Sequence, residues 1–239
     1  LEDGKTPLFV ERIRCACDGA LEQVVDGLSI DINLRLERLV DAVLGPRLRE
    51  RLQFDVGRLA AKGGEMAIKE VSDSGAFLGG RKVVSVRGDG TCIDAAAATA
   101  AAERLITSEG VVGINGATCS GSTTAVLNNV VRPNGVVMIS PSATSPALTE
   151  IEDDGYFFRT APSDARQGEI IGKILERRGI KTAALTYTNN DYGKGLADSI
   201  QAAFEERGGK ITAVAAHEDG KGDYSAEVAS LASAGGEVL

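Results

Sequence analysis

The sequence predicts an α/β protein built on parallel sheets flanked by helices. Three observations carry that prediction. From about residue 60 onward, apolar stretches of helical period alternate with short β-branched runs, the pattern of parallel strands joined by crossover helices. Two successive apolar runs each end in small hydroxyl residues: Gly110-Val-Val-Gly-Ile-Asn leads into Thr118-Cys-Ser-Gly-Ser-Thr-Thr, and Val136-Val-Met-Ile leads into Ser140-Pro-Ser-Ala-Thr-Ser-Pro. Aromatic residues make up 4% of the chain against 43% hydrophobic residues, so the cores must be built from Ala, Val, Ile and Leu.

The elements come in order. Ala60 to Val71 reads as a helix, with Met66, Ile68 and Val71 among Lys and Glu. Lys82 to Arg87 reads as a strand. Asp94 is a good cap for an Ala-rich helix over 95–107. Gly110 to Asn115 is a strand, Ser122 to Val131 a helix, and Pro133-Asn134-Gly135 a turn. Val136 to Ser140 and Tyr156 to Thr160 are strands. Ser163 and Asp164 offer caps for a helix through Arg178. Thr182 to Tyr187 is a strand, and Gly193 to Arg207 a helix ended by Gly208-Gly209. Ile211 to Ala216 is a strand and Tyr224 to Ala234 a helix. Gly235-Gly236-Glu237-Val238-Leu239 reads as a turn and the first residues of another strand.

The first 60 residues break this pattern. Leu21 to Leu52 is amphipathic at helical spacing, and no clear parallel strand stands out. Before residue 61 there are eight Arg and one Lys; after it there are nine Arg and eight Lys. Composition and period both shift near residue 60. The segment reads either as an N-terminal helical extension or as a piece foreign to the rest of the chain, by fusion or a shifted reading frame. The chain also begins at Leu, which suggests a processed form or a fragment.

Composition narrows the function. A net charge of −8 without a basic stripe argues against nucleic acid, whose binding needs clustered Lys and Arg. No apolar run approaches the roughly 20 residues of a membrane span. Glycine-rich Gly113 to Gly121 lacks the Gly-Lys-Ser/Thr of a phosphate loop. Asp153-Asp154 and Glu218-Asp219 read as solvated turns, without the Asp-rich spacing of a calcium loop. No metal and no cofactor is expected. His217 is the single histidine. An enzyme would pair it with Cys119 or Ser120 as base and nucleophile. A nucleophile elbow needs glycine two residues to either side of its serine, and Ser120 has Thr118 and Ser122 there. The expectation is a protein that is not an enzyme.

The two hydroxyl-rich strand ends are the candidate site. Open α/β sheets bind ligands at the carboxyl ends of their strands, and a helix N-terminus there favours an anion. Ser120, Ser122 and Thr123 also suit simple helix capping, and Ser142, Thr144 and Ser145 beside Pro141 and Pro146 also suit an ordinary turn. Two such ends together suggest a small carboxylate. Of the four cysteines, Cys15 and Cys17 are too close for an easy internal disulfide. Cys92 and Cys119 fall at the ends of two successive predicted strands. Spacing alone leaves them as a disulfide or as two free buried thiols.

Several segments together resemble a known family: Glu65-Met-Ala-Ile-Lys-Glu, Ala101-Ala-Glu-Arg-Leu-Ile, Gly110-Val-Val, Ile139-Ser-Pro-Ser-Ala-Thr-Ser-Pro, Phe158-Arg-Thr, Gln167-Gly and Asp191-Tyr-Gly-Lys-Gly. Their order and spacing are similar to the branched-chain amino-acid binding proteins of ABC importers, which have the type I periplasmic binding protein fold. The resemblance covers about 62–239. It implies two lobes, an N-lobe over 61–161 and a partial, truncated C-lobe over 162–239, with 1–60 unmatched. It implies that Ser120 meets a ligand carboxylate, that the backbone of Ser142, with Ala143, and the hydroxyl of Thr144 hold carboxylate and ammonium, and that Tyr192 faces the site from the second lobe. It implies a disulfide between Cys92 and Cys119.

The function implied is that of a monomeric, periplasmic solute-binding protein. It captures a branched-chain or similar small aliphatic amino acid and delivers it to a membrane permease. A sensory domain for amides or other small solutes, and a non-binding fragment, are the alternatives. The family's opening strand and loop have no match at Arg47 to Arg58. Its remaining C-lobe ligands, including an acidic residue for the ammonium, would lie beyond Leu239. The chain as given is therefore expected to bind leucine, valine or isoleucine weakly or not at all.

Overall fold

The computed structural model describes the backbone of residues 46–239 and the side chains of residues 60–239. The chain divides into two compact units, Leu1–Val56 and Gly57–Leu239. The expectations for Leu21 to Leu52 and for Cys15 and Cys17 fall mainly or wholly outside the described residues.

Helix α1 spans Pro46–Asp73. A 3-10 turn comes next, at Phe77–Gly79. The segment 82–87, expected as a strand, joins no ladder among the described residues. A strand is held by hydrogen bonds to a neighbouring strand, and here the N–H of Val83 goes to the hydroxyl of Ser72 at 2.9 Å. Val84 is left 80% exposed. Cys92 accordingly lies in a loop and does not end a strand.

Helix α2 (Ala95–Thr107) starts where expected, because the Asp94 carboxylate accepts the N–H groups of Ala96 and Ala97, both at 2.9 Å. This satisfies two of the first-turn donors that a helix leaves unpaired. Ala98 and Ala102, four apart, carry its buried stripe.

Three parallel strands form the first sheet in the order β1 (Gly113–Asn115), β2 (Val137–Ser140), β3 (Phe157–Arg159). Between β1 and β2 runs α3 (Ser120–Val126), which continues through a π-helical turn at Leu127–Val131 and a last turn at Arg132–Asn134. Gly135 ends it in the left-handed region at φ 63°, where a side chain would be strained. Along β2 burial alternates: Met138 and Ser140 point inward, Val137 and Ile139 outward. Met138 joins Leu127, Val130, Val131, Leu148 and Phe157 in the core between sheet and helices. A short helix, α4 (Ala147–Glu150), lies after β2.

The second sheet pairs β4 (Thr182–Thr188) with β5 (Lys210–His217), again parallel. Helix α5 (Asp164–Arg177) leads into it from the first sheet, α6 (Asp191–Glu206) is the crossover between its strands, and α7 (Ser225–Ser233) comes after β5. Helices α5 and α6 lie side by side. Gly168 and Gly172, four apart on one face of α5, meet Ser199 and Ala203, four apart on α6. Small residues on both sides let the backbones approach. Val238 forms an isolated parallel bridge to Ala183, at the place where the sequence pattern predicts strand residues.

Candidate functional site

Three of the expected site residues come from adjacent strands of the first sheet. Strand β1 ends at Asn115, and α3 begins at Ser120. Strand β2 ends at Ser140 and leads into the loop 141–146. Because β1 and β2 are parallel neighbours, both loops leave the same edge of the sheet. Ser140 ties them together. Its buried hydroxyl donates to the Ala117 carbonyl at 2.6 Å and accepts the Ala143 N–H at 3.0 Å. The Ser142 hydroxyl donates to the Thr118 carbonyl at 2.6 Å, and the Ser145 N–H donates to Ser120 Oγ at 3.2 Å. Ser120 is only 2% exposed. Its hydroxyl thus accepts from the second loop and keeps its own proton to donate.

Ser142 is exposed, and its N–H turns in toward the Ser140 hydroxyl at 3.4 Å. With hydroxyl and N–H both engaged inside the loops, the carbonyl is its remaining polar group. Ala143 is buried. Thr144 is half-buried, and its hydroxyl donates to Asp164 Oδ2 at 2.7 Å.

At the start of α3 the first intrahelical bond is from Thr123 N–H to the Cys119 carbonyl at 2.9 Å. The N–H groups of Ser120, Gly121 and Ser122 precede that bond and have no carbonyl within the helix to receive them. Cys119 is bonded to Cys92, with Cα atoms 5.4 Å apart. The Ser122 hydroxyl donates to the Thr91 carbonyl at 2.6 Å. The start of α3 is therefore anchored to the 91–94 turn by one covalent and one hydrogen bond.

Tyr192 lies on the second sheet's side, as the second residue of α6. Asn190 caps that helix by accepting the Gly193 N–H at 2.8 Å. A side chain at Gly193 would begin 2.1 Å from the Thr188 carbonyl oxygen, so this turn admits only glycine. The same helix start reaches the first sheet's loops. Gly121 lies against the Asp191 carboxylate, and Gly195 packs against Ser145 and Pro146. Tyr192, 45% exposed, stands between those two contacts in sequence.

The histidine and the cysteine that an enzyme would pair are each engaged elsewhere. His217 ends β5, and its ring meets the Thr186 hydroxyl at 2.8 Å, the Thr188 hydroxyl at 3.5 Å and, in a T-shaped arrangement, the ring of Tyr224. Cys119 is held in the disulfide and is no thiolate nucleophile. Among the described residues no cluster of His, Cys, Asp and Glu could hold a metal ion, and no described helix is long and apolar enough to cross a membrane.

Sequence reading misses two residues that shape the site. Arg159, at the end of β3, donates to the Ser145 carbonyl at 2.8 Å, the Ala143 carbonyl at 3.3 Å and the Thr149 hydroxyl at 2.6 Å. It clamps the loop that carries Thr144. Asp164 stands out in the sequence only as a cap, yet it is buried and grips Thr144. An acidic residue that is both first in a helix and 3% exposed needs a partner, but its burial is not visible in the sequence.

Parallel sheets with crossover helices and two hydroxyl-rich loops at one sheet edge define the class of α/β proteins that bind ligands at their strand ends. Residues 52–239 match the periplasmic binding protein family, and the chain belongs to it. This is a family of binding proteins and not of enzymes. A leucine-, isoleucine-, valine-, threonine- and alanine-binding protein of Pseudomonas aeruginosa is 33% identical over 197 residues, covering 81% of this chain and 50% of that protein.

Two solved structures align with it. One is a branched-chain amino acid transporter substrate-binding protein of Streptococcus pneumoniae in complex with isoleucine, at TM-score 0.62 and 30% identity over 74% of this chain and 49% of that one. The other is a leucine-binding protein of Thermotoga maritima, at TM-score 0.65 and 25% identity over 76% and 50%. The chain spans about half the length of the curated relatives it matches.

Proposed function

We propose that this chain belongs to a periplasmic receptor of an ABC amino-acid uptake system. The receptor captures a branched-chain or similar small aliphatic amino acid and presents it to a membrane permease. One observation carries the reading: Ser120, Ser142 and Thr144 meet at one edge of the first sheet, locked there by the Ser145–Ser120 and Ser142–Thr118 hydrogen bonds. The relatives' ligands, as their names give them, support the ligand class. The Cys92–Cys119 disulfide suits an oxidising compartment such as the periplasm.

The parts divide the work by polarity. The Ser120 hydroxyl and the first N–H groups of α3 are donors and suit the α-carboxylate. The Ser142 carbonyl and Thr144 oxygen are acceptors and suit the α-ammonium. Tyr192 closes on the ligand from the second lobe, the lobes being 61–161 and 162–239. Hinge closure adds its contacts only when ligand is present, so it favours the closed state. The receptor acts as a monomer.

The test is a titration of the purified chain with leucine, isoleucine and valine, read by chemical shifts so that weak binding registers. Saturable shifts at Ser120, Gly121 and Thr144 are expected. Of the two outcomes the sequence leaves open, weak binding and none, the joined loops favour weak binding; a chain that binds none of the three overturns the reading.

A further inference from the structure

We infer that Asp164 makes the site selective for ligands that carry an ammonium group, by fixing the direction in which the Thr144 hydroxyl donates; the inference rests on the binding-site reading above. Two hydrogen bonds join this pair. Thr144 Oγ1 donates to Asp164 Oδ2 at 2.7 Å, and the Asp164 N–H donates to the Thr144 carbonyl at 2.9 Å. One links side chains and the other backbones, so neither residue turns freely. Asp164 is the first residue of α5, and Ser163 caps that helix by accepting the Ala165 N–H at 3.3 Å. The carboxylate is thus delivered to the β2 loop by the helix that comes after β3.

A hydroxyl has one hydrogen and two lone pairs. With its hydrogen committed to a buried carboxylate, Thr144 can only accept from a ligand. An ammonium can donate to it. A second carboxylate finds no donor there and faces the Asp164 carboxylate behind it. From the loop after β1, α3 presents N–H groups and the Ser120 hydroxyl. Donors from one loop and acceptors from the other match a zwitterion. They do not match a plain carboxylic acid of the same shape.

The experiment compares leucine with 4-methylpentanoate, its analogue without the amine, in chemical-shift titrations of the full chain and four variants. The unmutated chain should favour leucine by about tenfold or more, the scale of one hydrogen bond to a charged group. Asp164→Asn should keep that preference, because the amide oxygen still accepts the Thr144 proton. Thr144→Val should bring the two ligands to within about threefold of each other, the ammonium having lost one of its acceptors, and Thr144→Ser should restore the preference.

Each contrary result is informative. If Asp164→Asn loses the preference while Thr144→Val keeps it, direct charge attraction is responsible and the inference is overturned. Asp164→Ala leaves the Thr144 proton without its acceptor and should narrow the preference; if it keeps the full preference the inference is overturned, and this result decides should Thr144→Val fail to fold. Equal binding of both ligands by the unmutated chain overturns the inference but leaves a carboxylate-binding receptor standing. Binding of neither ligand overturns both.

Discussion

The backbone N–H of Ser145 donates to the hydroxyl oxygen of Ser120 at 3.2 Å, joining two strand-end loops whose residues lie 25 apart in the chain. Both residues are buried. The bond makes one surface out of two loops, and it ties the candidate carboxylate residue to the segment that carries Thr144.

Ser120→Ala removes the acceptor and leaves the Ser145 N–H buried without a partner. An orphaned buried donor costs about 1–3 kcal/mol. Urea denaturation should show a lower midpoint at unchanged slope, and leucine-induced shifts at Thr144 should weaken. An unchanged midpoint would mean that the two loops are held by Ser140 and Ser142 alone.

The disulfide closes a loop between residues 27 apart. In the chain-entropy account a loop of this size stabilises by roughly 3–4 kcal/mol. Replacing both Cys92 and Cys119 by Ala should lower stability by about that amount. Mass spectrometry of the untreated protein should find neither cysteine open to alkylation until a reductant is added.

Glycines in two helices should respond in opposite directions. At Gly168 an added methyl would lie 2.6 Å from the backbone carbon and oxygen of Ser199, which cannot move without shifting α6. Gly168→Ala should destabilise by about 1–3 kcal/mol or more. Gly63, inside α1, has nothing within 4 Å of that position. Gly63→Ala should stabilise by about 0.5–1 kcal/mol, because alanine has less backbone freedom to lose. Thermal unfolding of the two variants checks both signs.

Acid should loosen the C-terminal segment. The Glu237 carboxylate accepts the N–H of Lys181 at 2.6 Å and of Thr182 at 3.3 Å, and these backbone donors hold its pKa below the ordinary 4.5. A lowered folded-state pKa adds stability that is present above 4.5 and is lost as the pH falls through the folded value. Amide exchange at Thr182 and Ala184 should therefore rise below about pH 4.5, relative to amides of α3, more than the intrinsic pH dependence of exchange explains. In Glu237→Gln that extra rise should vanish.

Alternation and turn residues are enough to locate most elements. The runs 110–115, 136–140 and 156–160 each contain a strand, 182–187 and 211–216 each lie within one, and Asp94, Ser163 and Gly135 mark helix ends by local chemistry that needs no distant partner. The segment 82–87 shows where this stops. Its β-branched residues suit a strand, but a strand exists only beside another, and that pairing is a property of the assembled sheet. The helix after Cys119 starts two residues earlier than its apolar pattern indicates, because the first turn at Ser120 is set by a disulfide and a neighbouring loop.

For the site, the sequence by itself determined the residue types: hydroxyls and small residues at two strand ends, two cysteines whose spacing left their pairing open, and a Tyr-Gly pair whose glycine only the Thr188 carbonyl explains. The tertiary structure decided which way those groups point. It put Ser120 under the Ser145 N–H, turned Ser142 so that its hydroxyl meets Thr118, and brought Arg159 and Asp164 onto the Thr144 loop from a different strand and a different helix. Hydrogen-bond direction depends on which partners surround a group in space. Asp164 lies 20 residues from Thr144, and no local period or spacing links them; only the packing of α5 against the end of β2 makes that threonine an acceptor.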